Sequence, residues 1–279
     1  MFMGLKVFQS LWAMEPWRDL GATIARVSEA GFDGLAVDLG AADAALAWEA
    51  LPHMERAGLT PLVVAFPRAV SSLRETLRMA RTMGAPFVVV IGQVFPLTVE
   101  GAIPVVRRWI EMSEEEGVPI QFETHRNCIT NDLFFTLQLL DAVPEMRLAI
   151  DLSHYVVDRE LRLPLSDFDG GLFRRCLERG DSFQGRVASR QQIQLPLDFP
   201  QHAKWRAQFE AWWREGFRLW RSRRGPGEDC VFLCELGPPE YAVTDRDGRE
   251  LSDRWTEALA LKATAERLWA AAAPKPEAP

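Results

Sequence analysis

Four times within the first 120 residues an amphipathic stretch stops at a small residue or glycine and an apolar run begins: Ala30–Gly31–Phe32, Ala57–Gly58–Leu59, Gly84–Ala85–Pro86 and Gly117–Val118–Pro119. Glycine just past a helix takes the left-handed conformation that ends it without steric penalty, and the residues that follow are free to extend as a strand. An α-to-β connection made this often predicts a chain of alternating helices and strands. Strand candidates fall at about 5–11, 33–38, 61–66, 86–92, 118–124, 147–152, 182–187 and 230–235, with amphipathic stretches between all of them. The run Phe87–Val88–Val89–Val90–Ile91 is apolar throughout, as expected of a parallel strand covered on both faces.

Eight strands alternating with helices in 279 residues match one closed (β/α)8 barrel, an α/β fold. Residues 1–270 are therefore expected to form a single domain, and 271–279, small residues with three prolines, a disordered tail. Apolar residues at 48% and charged residues at 25% are the balance of an ordinary globular protein. No apolar run nears the roughly 20 residues that cross a bilayer. The apolar start is broken by Lys6, Gln9 and Ser10 and has no basic leader or small-residue cleavage site, so no membrane association and a cytoplasmic location are expected. A net charge of −7 and a pI near 5.3 argue against a nucleic-acid partner, since that attraction comes from neutralising phosphates with Lys and Arg.

Cys128, Cys176, Cys230 and Cys234 have no C-x-x-C spacing, and strand alternation sets Cys230 and Cys234 opposite Glu235; they read as reduced packing residues rather than zinc ligands or a catalytic thiol. Trp205, Trp212, Trp213 and Trp220, then Trp255, Leu259, Leu261 and Leu268, recur at helical spacing. They read as helix-on-barrel packing or as a subunit contact, which leaves a homo-oligomer open.

Four strand-like runs finish on polar groups: Gln121–Phe122–Glu123, Ala149–Ile150–Asp151, Gln184–Gly185–Arg186 and Leu233–Cys234–Glu235. Residues two apart in a strand share a face, so Gln121 with Glu123, Gln184 with Arg186, and Leu233 with Glu235 can all face one barrel axis. Taken singly, each carboxylate more often caps a helix or pairs with a base. Taken together, Glu123, Asp151 and Glu235 would repel one another unless protons or a cation compensate. A divalent metal is the economical answer, and oxygen donors with at most one or two nitrogens suit manganese, magnesium, cobalt or zinc without choosing among them. His125 and His154 directly follow the fifth and sixth strands, whereas His53 and His202 read as surface residues.

Glu123–Thr124–His125–Arg126, Asp151–Leu152–Ser153–His154–Tyr155, Arg186–Val187 with Gln194, Glu235–Leu236–Gly237–Pro238–Pro239–Glu240–Tyr241 and Asp253–Arg254–Trp255 resemble the successive motifs of the sugar phosphate isomerase/epimerase-like family, whose fold is the xylose-isomerase-like TIM barrel. The resemblance is dense over 118–270, with Gly31–Phe32–Asp33–Gly34 as its main echo before that. It implies a metal site of Glu123, Asp151, position 184 and Glu235, and substrate contacts from His125, Arg126, Gln194 and Tyr241. Position 184 is Gln where family members carry His, a weaker and uncharged donor, so affinity for zinc should fall more than affinity for magnesium or manganese. The family's second-strand Glu is also replaced, by Ala36, with Asp38 two residues on.

The implied chemistry is isomerisation or epimerisation of a small sugar, polyol or hydroxy-keto acid. A chelated metal acidifies the C–H between carbonyl and hydroxyl and stabilises the enediolate, while Glu123 and Glu235 remove and return the proton, His154 polarises a substrate oxygen and Arg186 holds an anionic or hydroxyl group. No Lys at a strand exit supports a Schiff base, and no Gly-rich loop with a basic partner follows the last two strands to hold a phosphate. Gln184 and Ala36 favour a second reading, a noncatalytic ligand-binding or partner barrel with a degenerate metal site. An abasic-site endonuclease, a third, would need more histidines and a basic groove.

Overall fold

In the computed structural model, which describes residues 3–273, eight parallel strands close into a barrel in sequence order. They are β1 (Gly4–Ser10), β2 (Gly34–Asp38), β3 (Thr60–Ala65), β4 (Val88–Val90), β5 (Ile120–Glu123), β6 (Leu148–Ile150), β7 (Gly180–Gly185) and β8 (Asp229–Cys234). Closure is made by β1 against β8, in register from Gly4 opposite Asp229 to Gln9 opposite Cys234. The helices are α1 (Leu20–Glu29), α2 (Ala44–Ala57), α3 (Leu73–Met83), α4 (Val99–Glu116), α5 (Leu133–Ala142), α6 (Leu152–Asp158), α7 (Asp167–Leu177), α8 (Ala203–Arg223) and α9 (Arg254–Ala271). Each strand candidate is present, with ends displaced by two residues or fewer.

The glycine signal has the expected physical basis. Gly31, Gly58, Gly84 and Gly117 have φ of +74°, +68°, +76° and +69°, values a residue with a Cβ adopts only with strain. At the other helix ends a side-chain oxygen accepts an orphan backbone N–H: Asp19, Asp43, Thr98, Asp132, Ser166 and Asp253 do so for α1, α2, α4, α5, α7 and α9. Asp33, in the early echo of the family motifs, accepts from Val7 N at 2.9 Å and from Lys6 Nζ at 3.1 Å, joining β1 to the start of β2 at the amino end of the barrel.

Alternation sorts the strand side chains into two layers. Phe8, Leu62, Val64, Val89, Val231 and Leu233 fill the barrel interior, and the opposite faces pack under the helices. All four cysteines are buried and unpaired, with Cys230 and Cys234 in the outer layer beside Phe232. The tryptophans of α8 pack on the barrel: Trp212, Trp213 and Trp220 are buried, Trp205 is half-buried, and the indoles of Trp213 and Trp220 donate to the carbonyls of Gln184 and Asp181 on β7, each at 3.1 Å. Of the expected tail, Ala271 ends α9 and Ala272 is buried, while 274–279 lie outside the described residues. Among the described residues no helix is long and apolar enough to cross a membrane.

Two helical glycines test the packing from opposite sides. A Cβ on Gly216 of α8 would stand 2.3 Å from Phe183 Cε1 of β7, whereas one on Gly171 of α7 would meet nothing within 4 Å. Ala for Gly in a helix interior gains ~1 kcal/mol, while overpacking a core costs ~1–3 kcal/mol. Gly171→Ala should therefore raise the midpoint of thermal unfolding and Gly216→Ala should lower it; a Gly216→Ala protein as stable as the parent would mean that α8 does not press on β7 this closely.

Candidate active site

The polar strand ends converge. Glu123, Asp151, Arg186 and Glu235 leave the carboxyl ends of β5, β6, β7 and β8, four consecutive strands of the barrel, and each is no more than 3% exposed. The geometry is held locally. Thr124 Oγ1 donates to the Asp151 carbonyl at 2.7 Å and accepts from Asp151 N at 2.8 Å, pinning the exits of β5 and β6 together. Asp151 serves two purposes: Oδ1 accepts from Ser153 N at 2.8 Å and caps α6, and Oδ2 accepts from Arg186 Nη1 at 3.0 Å.

Arg186 is the hub. Its Nη2 donates to Glu235 Oε2 and its Nε to the Glu235 carbonyl, both at 3.0 Å, so one guanidinium joins β6, β7 and β8. Burial works against its charge, but the charges of Asp151 and Glu235 outweigh that and hold it protonated. Three of its donors go to Asp151, Glu235 and the Glu235 carbonyl, and its side chain also reaches the cavity wall, where contact with a substrate anion or hydroxyl is expected of it. Glu123 receives less: Gln184 Nε2 donates to its Oε2 at 2.7 Å, and its Oε1 has no partner. Burial, then the charges of Glu235 and Asp151, push the Glu123 carboxyl well above its ordinary range, and burial raises Glu235 to about 8 against the pull of Arg186.

The two histidines differ in access. His125 lines the cavity, and its Nδ1 bonds the Arg126 carbonyl, which can only accept, so the proton sits there and Nε2 keeps a free lone pair. Burial lowers it to about 4, so the ring is neutral. His154 lies beneath it with ring centroids 3.9 Å apart, is buried outside the cavity wall, and is held well below its usual value by burial and then by His125 and the nearby arginines. The position of His154 therefore does not suit direct contact with substrate, and that of His125 does.

A cavity of about 430 Å³ opens over this floor, with Glu123, His125, Arg186, Glu235 and Tyr241 in its wall. Tyr241 is carried in by the loop after β8. A Cβ on Gly237 would stand 2.4 Å from Trp12 Cη2, and Trp12 packs edge-on to Tyr241 at 5.0 Å. Gln194, expected to touch substrate, is outside the wall: its Nε2 donates to Gly237 O at 2.9 Å and its Oε1 accepts from Gly237 N at 2.8 Å, so its whole amide braces this loop. Arg126 stands over the Tyr241 ring, 5.3 Å from its centroid, behind the wall. Arg254 ties the start of α9 to the carbonyls of Ala13 and Glu15, next to Trp12. Asp38, Arg68 and Gln93 also line the cavity. None was singled out as a ligand from sequence, yet each extends the inward parity of its strand: Ala36 to Asp38, Phe66 to Arg68, Ile91 to Gln93.

The donors fit a divalent cation. Glu123, Asp151 and Glu235 offer ligand atoms all within 4.8 Å of one another, and so do Glu123, His125 and His154. Three buried carboxylates face one guanidinium, and Glu123 Oε1 and Gln184 Oε1 are buried without partners among the described residues. That surplus of carboxylates and orphaned acceptor oxygens is what a cation would satisfy.

No protein-family model matches the chain, and no curated protein matches it. Solved structures do. A xylose isomerase-like TIM barrel protein from Mycobacterium smegmatis in complex with magnesium superimposes with a TM-score of 0.65 at 14% identity, over 98% of this chain and 100% of that one. An L-ribulose 3-epimerase superimposes at 0.61 and 14% identity, over 96% and 95%. A D-allulose 3-epimerase from Methylomonas sp. in complex with D-allulose gives 0.55 and 15%, over 98% and 100%. The chain thus has the xylose-isomerase-like (β/α)8 barrel expected from its motifs.

Removing the hub should expose the charge balance. Arg186→Met strands Asp151 and Glu235, and losing one partner of a buried ion pair costs ~3–5 kcal/mol. Glu235 already binds its proton more readily folded than unfolded, where Glu titrates near 4.5, and losing the guanidinium that pulls it down should widen that gap, so stability of the variant falls as pH rises. Thermal unfolding should show a larger loss near pH 9 than near pH 5; equal losses would make Arg186 a packing residue.

Proposed function

We propose that the protein is a divalent-cation-dependent isomerase or epimerase of a small polyhydroxylated carbonyl compound: a sugar, a polyol-derived ketose or a hydroxy-keto acid. The observation that carries this reading is the shared cluster of Glu123, Asp151 and Glu235 at the floor of a ligand-sized cavity, with Glu123 and Glu235 both in its wall. The ribulose and allulose epimerases of the same fold support it at the level of reaction class. Glu123, Asp151 and Glu235 would hold the cation, with Gln184 beside Glu123. When bound, the cation supplies electrostatic stabilisation of the negative charge that develops on substrate oxygens as a carbon-bound proton leaves. Glu123 and Glu235, both in the cavity wall and at the exits of different strands, are placed to take and return that proton. His125, neutral and with the Nε2 lone pair free in the cavity wall, is placed to accept a hydrogen bond from a substrate hydroxyl. Tyr241 and Trp12 close the apolar side of the cavity against bulk water.

A second reading has a specific observation behind it. Arg186 already satisfies Asp151 and Glu235, and Gln184 bonds Glu123, so the site coheres without a cation and could serve a noncatalytic ligand-binding barrel.

Proton exchange separates the two. Cation-loaded protein incubated in deuterated water with a panel of ketoses and hydroxy-keto acids should place deuterium on carbon in at least one of them. Glu235→Gln keeps an oxygen donor but cannot accept a proton, so it should lose about 10²–10⁴-fold in exchange rate while retaining most of its cation. No exchange with any compound, while ligands still bind, would favour the noncatalytic barrel.

Gln184→His addresses the altered position directly. Imidazole is a stronger donor for borderline metals than an amide, so manganese or zinc should bind more tightly in calorimetry. Unchanged or weaker binding would place position 184 outside the cation's ligand set.

A further inference from the structure

The Arg186-centred acidic cluster occupies one half of the barrel rim, and Asp38 at the end of β2 is a further carboxylate in the wall, with its Oδ1 accepting from Gly40 N and Ala41 N. β5 to β8 carry Glu123, Asp151, Arg186 and Glu235, and in the closed order β3 and β4 lie across from β7 and β8. Just beyond β3 and β4, Arg68 and Gln93 face the same cavity. Arg68 Nε donates to Gln93 Oε1 at 3.2 Å, and Gln93 N donates to Pro67 O at 2.9 Å, so side chain and backbone both lock the two loops together.

This bond has a chemical consequence. A guanidinium can only donate, so the Gln93 amide must turn its oxygen to Arg68 and its NH2 away. What the pair then offers is donors alone: two Nη groups and one amide NH2. Among the described residues none of these has a hydrogen-bond partner, and Arg68 has no carboxylate within ion-pair distance. Arg186 differs, because its charge already faces Asp151 and Glu235, each paired with it at 3.0 Å. A fork of donors carrying one positive charge is complementary to a planar monoanion, and the carboxylates across the cavity repel that anion from the other end.

We infer that the substrate carries a carboxylate, held at the rim by Arg68 and Gln93, with its carbonyl and hydroxyl groups turned toward Glu123, Glu235 and His125. The inference rests on the isomerase or epimerase reading of this site and narrows it from neutral sugars to sugar acids.

Calorimetry of the manganese-loaded chain with ketoses that differ only at C6 tests it. The probes are D-fructose and D-tagatose, their C6 carboxylates D-fructuronate and D-tagaturonate, and their 6-phosphates. At least one uronate should bind about tenfold or more tightly than its parent ketose, as a charge-assisted bidentate contact allows. Arg68→Met should bring that uronate to the affinity of its parent, Arg68→Lys should recover part of the difference, and added salt should narrow it. Arg68 is exposed and makes one side-chain bond, so its variants should keep the parent's unfolding midpoint, which is checked first. No preference for either uronate, or a preference that survives Arg68→Met, overturns the inference; tighter binding of the 6-phosphates overturns the carboxylate assignment in favour of a phosphorylated substrate. Binding is read as heat rather than turnover. Arg68-dependent uronate binding without deuterium exchange would remove the enzymatic reading alone, and exchange on neutral ketoses without a uronate preference would remove this one alone.

Discussion

A buried guanidinium sets the terms for everything at the carboxyl end of this barrel. Arg186 stands on β7 between the strands that deliver Asp151 and Glu235, and its planar set of five donors lets it bond both carboxylates and a carbonyl of β8 at once. Charges this deep would cost several kcal/mol apiece if left alone, so the arrangement holds only because each group is paired. The third carboxylate breaks the balance. Glu123, one strand further round, has an amide for company and one oxygen with no partner. The site is thereby left with negative charge to spare beside a cavity, which is the condition for holding a cation or for moving protons.

The scaffold keeps this cluster in place by tying each strand exit to a neighbour. Thr124 clasps β5 to β6, Trp213 of α8 donates to the Gln184 carbonyl of β7, and Gln194 grips both backbone groups of Gly237 after β8. None of these residues needs to meet substrate. They do the work of fixing side-chain directions to within the tolerance that ligand binding and proton transfer demand. The motif Asp253–Arg254–Trp255 resolves in the same way: Asp253 caps α9, and Arg254 anchors the loop that carries Trp12. Motif residues thus divide into those that face the cavity and those that hold the facing residues still.

Several roles could be read from residues one at a time, and several could not. Asp151 illustrates the limit: the sequence supports either a helix cap or a cavity-facing acid, and the structure has it as both, one oxygen for each. His125 and His154 look equivalent as residues after strands, yet one lines the cavity and the other is buried beneath it. Arg68 and Gln93 sit past the paired ends of β3 and β4, where alternation still governs direction but hydrophobicity no longer signals a strand.

The sequence by itself determined the eight strands, the order of helices between them, and the inward parity of Glu123, Gln184, Arg186 and Glu235. These follow from local causes: glycines at positive φ that end helices, side-chain oxygens that cap them, and a period of two along each strand. Only the tertiary structure decided which charges meet. Arg186 pairs with groups 35 and 49 residues away in the chain, and Gln184 meets Glu123 across 61. No local pattern encodes such pairings, because they depend on how barrel closure and strand stagger bring the strand exits to one depth, and on the paths of the loops that place Tyr241, Gln194 and Arg68 around them.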